Sequence, residues 1–357
     1  MFGRLDWAGG LSRFLNRWML VLLVASYGLA SILPAPGIWI KDSRVLDHAG
    51  SWLGFHPTLP KLMLSFLLLN AGLHVRIRRV VELARRPGTM IAGLAANLAV
   101  PLVFILVLLA TAGQWHNPEE FSMLLIGLAL VAAMPIAGSS TGWTRAADGD
   151  MTLSLGLVML STLLSPVVTP LVLAAIGTIA PAHHGDDLVR LAEHGTGRFL
   201  MAWVMVPSVL GMVIRVLMGG VRVGRWERFL KPLATVTLLV LCYANSAACL
   251  SETIRSPDWD FLMLVVAIVT ALCVATFSAG YGLGRVLGLD HAGRSAMMFG
   301  LGMNNNGTGL VLAAATLGGK PMVLLPVIAY NLAQHLVAGC ANALHHADPV
   351  SSPASPH

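Results

Sequence analysis

Gly300-Leu301-Gly302-Met303-Asn304-Asn305-Asn306-Gly307-Thr308-Gly309 sits inside an apolar stretch that runs from Ala296 to Leu317. Three consecutive amides and a threonine among glycines are costly in hydrocarbon, because a polar group without a partner there loses several kcal/mol. Such backbone is tolerated at membrane depth only where it is buried in protein or lines a cavity. Successive helical residues point about 100° apart, so three adjacent amides cannot all serve one neighbouring helix as inter-helix glue. The stretch therefore reads as a binding site halfway through a membrane protein, and it points to transport of a solute.

The surrounding sequence agrees. The 357 residues are 56% hydrophobic and only 11% charged, with a mean hydropathy of +0.75. Soluble domains carry about 25% charged residues. Apolar segments near 17–34, 58–75, 90–112, 121–142, 151–180, 197–217, 229–250, 260–286, 293–317 and 321–344 are each long enough to cross a bilayer as a helix. The short alternating segments of a membrane barrel are absent from the sequence. The first span has a long polar lead-in and no small-residue cleavage site, so it reads as a span and not as a removed signal. The longest polar connections are 35–57 and 181–196, and the Ser/Pro-rich tail 349–357 reads as disordered.

The net charge of +6 does not mark a nucleic-acid surface, because the basic residues alternate by loop. Arg76, Arg78, Arg79, Arg85 and Arg86 fill the second-to-third connection, and Arg215, Arg222, Arg225, Arg228 and Lys231 fill the sixth-to-seventh. Basic loops stay cytoplasmic. The N terminus, with Arg4, Arg13 and Arg17, then lies inside, and ten spans return the C terminus to the same side. A multi-pass inner-membrane location with the lipid bilayer as the surrounding partner follows; no obligate protein partner is evident. Cys242, Cys249, Cys273 and Cys340 lie in apolar spans and read as small buried hydrophobes.

A second polar cluster, Pro135-Ile136-Ala137-Gly138-Ser139-Ser140-Thr141-Gly142, occupies the fourth span, as the asparagine run occupies the ninth. Five spans per half give the two halves opposite orientations. Glycine-interrupted polar segments at matching places are the mark of an inverted-repeat transporter site. Both helices are expected to unwind there and cross near the midplane, half-helix N-termini facing anions and freed carbonyls facing cations. The competing reading of the fourth span is a proline kink with serines bonded back to carbonyls. Asp150, just before the fifth span, reads as a helix cap. Asn245 and Ser246 are single polar residues of the seventh span that face the bundle and are candidates to line a crevice.

At these residues the chain resembles the bile acid:sodium symporter family. Pro135, Ser139, Ser140 and Thr141, then Gly149, Asp150, Leu153 and Ser154, then Ser161, Thr162, Leu163, Pro166 and Pro170 follow that family's fourth and fifth helices in order and spacing. Gly302-Met303-Asn304-Asn305 resembles its Gly-Met-Gln-Asn, Tyr330-Asn331-Leu332 its His-Asn-Leu, and Leu67–Leu73 its second helix. The resemblance implies a panel domain of the first, second, sixth and seventh helices and a core domain of the third to fifth and eighth to tenth, with substrate between them and two sodium ions behind the crossing. Carried over by position, Ser140, Ser154, Asn304 and the Met303 carbonyl become sodium ligands, and the neighbouring Thr141 is added to that set. Asn305 and Asn331 match asparagines that line the substrate crevice, and Ser139, Asn306 and Thr308 of the two polar clusters are added to this substrate-facing set. The chain departs from the pattern at Thr141, where the family has asparagine, at Val158 for threonine, at Ala96 for glutamine, and at Gly300 for the glutamate that serves both ions.

Sodium is a hard cation, and this set offers it only neutral oxygens. An anionic substrate would supply the missing charge, which in low dielectric is worth far more than in water. Proton coupling needs a titratable group at depth; the spans hold no Asp or Glu, leaving His335 and His74. Enzyme readings lack their signatures: neither HExxH nor Asp-rich motifs occur. A passive channel would want a continuous polar stripe along several helices, whereas polarity here is confined to two clusters. The expectation is an all-α, ten-span secondary transporter with discontinuous fourth and ninth helices, taking up a small organic anion with sodium; the alternatives on the same scaffold are a sodium-independent facilitator, a proton-linked carrier or a channel.

Overall fold

A computed structural model describes residues 6–44, 57–75, 87–112, 115–180, 182–317 and 320–347. Arg4, the five arginines of the second-to-third connection and the tail 349–357 lie outside the described residues. The described chain is all helix and turn, apart from two isolated antiparallel bridges, Arg44 with Thr58 and Ile136 with Asn304.

The helices are α1 (Asp6–Arg17), α2 (Met19–Ile32), α3 (Pro34–Asp42), α4 (Leu59–His74), α5 (Pro87–Ala112), α6 (Pro118–Ala133), α7 (Ser139–Ala146), α8 (Met151–Ile179) and α9 (Ala182–Leu191). A π turn at Ala192–Thr196 leads into α10 (Gly197–Met218), which holds a second at Met201–Met205. Then come α11 (Gly220–Arg255), α12 (Trp259–Val286), α13 (His291–Gly302), α14 (Asn306–Thr316) and, after a 3-10 turn, α15 (Leu324–Ala347).

Local chemistry sets several of these boundaries. Asn117, Asp150, Asp258, Asp290 and Asn305 each stand before a helix and accept a backbone N–H with the side chain. Each such cap contributes about 1 kcal/mol. The polar stretches 35–57 and 181–196 differ from their reading as plain connections, since α3 and α9 occupy parts of them. Both lie against longer helices, α3 on α11 and α9 on α8, and that packing supplies what their short length lacks.

Among the described residues, six helices are long and apolar enough to cross a bilayer, or seven if the pair Gly9–Leu15 and Met19–Ile32, bent by 70°, is one span. The remaining expected spans fall short for physical reasons. α4 has 16 residues. The segments 121–142 and 293–317 are each divided by a break, into α6 and α7 and into α13 and α14. Large apolar side chains such as Ile91, Val103, Val167, Leu171, Val213 and Val266 stand on the outside, where lipid would cover them.

Helices α2, α4, α10 and α11 pack on one another. α4 and α10 touch through backbone: a Cβ on Gly72 would meet the Ser208 carbonyl oxygen at 2.0 Å, and one on Gly211 would meet that of Leu69 at 2.1 Å. Helices α5 to α8 and α12 to α15 form the other group. The two groups meet where α14 contacts α4 and α11, where α15 contacts α2 and α11, and where α8 contacts α10. Cys242, Cys249 and Cys273 are buried, but Cys340 is exposed. An apolar span offers two dry surroundings, protein and lipid, and sequence does not separate them.

Candidate functional site

The two breaks meet. After α6 ends, Met134 to Gly138 run without helical structure, and Met303 to Asn305 do the same between α13 and α14. The segments cross as an antiparallel pair. The Ala137 N–H donates to the Met303 carbonyl (2.9 Å) and the Asn305 N–H to the Pro135 carbonyl (2.8 Å). Breaking two helices frees backbone groups that hydrocarbon cannot satisfy, and neighbouring side chains take up several of them. The Ser161 hydroxyl accepts the Ile136 N–H (3.1 Å), Thr169 donates to the Ala133 carbonyl (2.6 Å), and the Gln334 carbonyl oxygen accepts the Asn304 N–H (3.0 Å). The Asn304 amide donates to the Val131 carbonyl at 2.9 Å, and Tyr330 to that of Gly302 at 3.2 Å.

The proposed residues divide into spoken-for and free. The Asn305 oxygen caps α14 through the Thr308 N–H (3.3 Å). Asn331 donates to the Tyr27 hydroxyl (2.8 Å) and accepts from Gln334 (3.1 Å), so it ties α15 to α2. Thr141 donates to the Gly138 carbonyl (2.7 Å), and Ser139 is half-buried at the start of α7. The Thr144 hydroxyl donates to the Ser140 carbonyl (2.9 Å) and lies 3.2 Å from that of Ser154, which joins these two candidates in one buried cluster. The Met303 carbonyl is held by Ala137 and keeps a second lone pair.

Five buried atoms around the crossing have no protein partner: Asn304 Oδ1, both polar atoms of Asn306, Thr308 Oγ1 and Ser140 Oγ. All four residues are at most 1% exposed. A buried polar atom left alone costs about 1–3 kcal/mol, so this group is either a defect or a site. The asparagine-run atoms flank the N-terminus of α14 and Ser140 lies in the first turn of α7; both ends attract negative charge, while the C-terminal ends of α6 and α13 attract positive charge. The place is otherwise neutral. Glu120, the buried acid among the described residues, lies in the first turn of α6 and is held by Trp115 and Asn117. A Cβ added at Gly300 would lie 3.1 Å from Leu157 Cδ1, so the Leu157 side-chain tip would have to shift by a few tenths of an ångström to admit one. A cavity of about 40 Å³ beside the first break, lined by Asn97, Ser161 and Ser165, is large enough for one water.

Sequence reasoning passed over Gln334 and Tyr27. Gln334 lies one turn from Asn331 on the same helix face, and that spacing was the available signal. His335 is 7% exposed and its Nδ1 accepts from the Trp143 indole N–H at 3.4 Å. His74 lies between the Asn70 carbonyl (2.7 Å) and Glu227 (3.1 Å).

Residues 61–252, more than half of the chain, match the profile of the Sodium Bile acid symporter family. The chain belongs to this family. Its members are transporters, and the matched range includes the first of the two crossing segments. Among similar proteins, the uncharacterized sodium-dependent transporter YocS of Bacillus subtilis (strain 168) is 24% identical over 310 residues, covering 84% of this chain and 87% of the relative. The uncharacterized protein YbaS of the same strain is 25% identical over 242 residues, 68% of this chain and 75% of that one. The human sodium/bile acid cotransporter 4 is 28% identical over 232 residues, 63% of this chain and 48% of its own.

Proposed function

We propose that this symporter-family chain is a secondary active transporter of the inner membrane that takes up a small organic anion together with sodium, by alternating access. The observation that carries this reading is the set of unpartnered buried atoms on Asn304, Asn306, Thr308 and Ser140 at the meeting of two broken helices. Ser140, Thr141, Ser154, Asn304 and the Met303 carbonyl form the cation side. Ser139, Asn305, Asn306, Thr308 and Asn331 form the anion side. Ten crossings in two inverted five-helix repeats, both termini cytoplasmic, fit the helix order with α6–α7 and α13–α14 each counted once. In this reading α2, α4, α10 and α11 are the panel, the rest of the spanning helices are the core, and the core moves against the panel. Names of relatives that specify sodium support the choice of ion.

The site supplies no carboxylate, so the cation's charge is balanced by the transported anion, and the two bind together. A thermal-shift screen of organic anions in detergent, run in sodium and in potassium, tests this. A ligand present at about 100 times its Kd stabilises the folded state by about 2.7 kcal/mol. Stabilisation by an anion only in sodium supports coupled symport. Equal stabilisation in potassium replaces it with a facilitator, and tight sodium binding without any anion removes the charge-balance argument.

A further inference from the structure

The starts of α6 and α12 come together at one end of their helix group. Three side chains meet there: His116, just before α6, Glu120 in the first turn of α6, and Asp260 in the first turn of α12. His116 Nε2 lies 3.1 Å from Asp260 Oδ2, and one donor atom from each of the three side chains lies within 4.8 Å of the other two. Donors bound to one zinc-sized ion at about 2.1 Å stand about 3.4 Å apart. The His116–Asp260 spacing already suits such an ion. Both of these side chains are more than half exposed and so are free to turn toward Glu120.

Two further observations point to a cation. Glu120 is only 8% exposed, yet among the described residues no Lys, Arg or His lies within ion-pair distance of its oxygens. A buried carboxylate without a cation is costly, and the N-terminus of α6 offsets only part of that cost. The carboxylate is also held in place by neutral donors. The Trp115 indole N–H donates to Oε2 at 2.7 Å and the Asn117 amide to Oε1 at 2.5 Å. Each oxygen keeps an acceptor position. Outer hydrogen bonds of this kind orient the carboxylate ligands of metal sites. The Trp115 ring in turn packs on the His116 imidazole, with centroids 4.7 Å apart.

The donor set selects the class of ion. One imidazole and two carboxylates suit zinc, cobalt(II) or nickel(II), whereas calcium and magnesium take oxygen donors and gain little from an imidazole. We propose that His116, Glu120 and Asp260 bind a divalent transition-metal ion of the zinc type, with water completing its coordination, and that the ion clamps the start of α6 to the start of α12. The site is distinct from the crossing: Glu120 lies roughly 20 Å along α6 from the break at Met134, at the usual rise per residue. α11 ends at Arg255 and α12 begins at Trp259, so the clamp holds the helix that receives the chain from the other group. The proposal does not depend on which solute is transported.

The test uses the full chain in detergent, first stripped with a chelator. Modification of His116 by diethyl pyrocarbonate is followed by peptide mass spectrometry, which reads this histidine separately from every other. Zinc chloride is expected to slow modification of His116 by about tenfold at saturation, and magnesium or calcium at about 1 mM to leave the rate within about twofold. Asp260→Asn, at an exposed position, should raise the zinc concentration for half-protection by about tenfold, and Glu120→Gln should do the same. If the buried variant Glu120→Gln does not fold, Asp260→Asn decides alone. Zinc should also raise the melting temperature of the stripped chain, and His116→Gln should remove at least about half of that rise, the remainder belonging to other histidines. Equal modification of His116 with and without zinc overturns the site and leaves the trio as an ion pair beside a capped helix. Protection indifferent to Asp260→Asn overturns the clamp, because the ion then rests on one helix start only. Equal protection by magnesium overturns the assignment to a zinc-type ion. None of these results bears on sodium-dependent stabilisation by an anion, so this site and the transport reading fail separately.

Discussion

Asn306 and Gln334 are both buried amides, yet replacing them should have opposite consequences. Both polar atoms of Asn306 lack a partner, whereas Gln334 satisfies the Asn304 N–H and the Asn331 oxygen together. Asn306→Leu and Thr308→Val therefore remove no internal hydrogen bond and should leave the unliganded melting temperature unchanged or raised, while abolishing stabilisation by the anion-and-sodium pair. Gln334→Leu should lower stability by about 1–3 kcal/mol, because two buried groups lose their partner. Thermal unfolding in detergent, with and without ligand, separates the two. A drop in the unliganded stability of Asn306→Leu would mean that the amide has a structural partner. His335 accepts from Trp143 through Nδ1, which puts the proton of the neutral ring on Nε2. In His335→Gln the amide oxygen can take the same indole N–H, so uptake driven by a sodium gradient should persist and remain indifferent to a pH gradient; abolished uptake in a correctly folded variant would make the histidine part of the transport chemistry. The asparagine run is legible in sequence because three adjacent amides are anomalous in an apolar span. Gln334 shows in sequence only its one-turn spacing from Asn331, and the donor it serves, 30 residues away, does not show there.

Among the helices, α4 and α10 are in backbone contact. Gly72 and Gly211 allow backbone to rest on backbone there, the small-residue packing that membrane helices use in place of a hydrophobic drive. Gly211→Ala should separate the pair and cost about 1–3 kcal/mol, read as a lower melting temperature in detergent. The mirror change, Gly224→Ala, meets nothing within 4 Å and should be silent or mildly favourable. The Asp150 cap was readable in sequence and does hold the start of α8, while Asp258 and Asp290, which cap α12 and α13 in the same way, were not singled out. α3 and α9 escaped notice because a short polar helix has no apolar run to announce it, and its stability comes from the surface it lies on.

Over the whole molecule, Tyr27 joins the two helix groups: its hydroxyl accepts from Asn331, which meets Gln334, which holds the Asn304 N–H at the crossing. A chain of hydrogen bonds thus runs from α2 to the break. Tyr27→Phe should cost about 1 kcal/mol in this conformation and shift the balance between conformations, seen as altered anion affinity with the crossing residues untouched. Unchanged affinity would confine the contact to local packing. Binding at the crossing carries a thermodynamic constraint: if the anion raises sodium affinity by some factor, sodium raises anion affinity by the same factor. Titration calorimetry in both orders should return matching factors. A large factor one way and none the other would exclude a shared equilibrium site.

Composition and two glycine-spaced polar clusters were enough to read a helical membrane protein and to nominate the Ser139–Thr141 and Asn304–Asn306 segments as a candidate site, because polar groups in hydrocarbon are costly wherever the chain folds. Which of those polar atoms remain free was decided by partners that only folding brings near. Asn331 met Tyr27 from 304 residues away, and Asn304 found Val131 from 173. A hydrogen bond depends on distance in space, so the amides that face each other and the amides left for a ligand differ in surroundings and not in residue type.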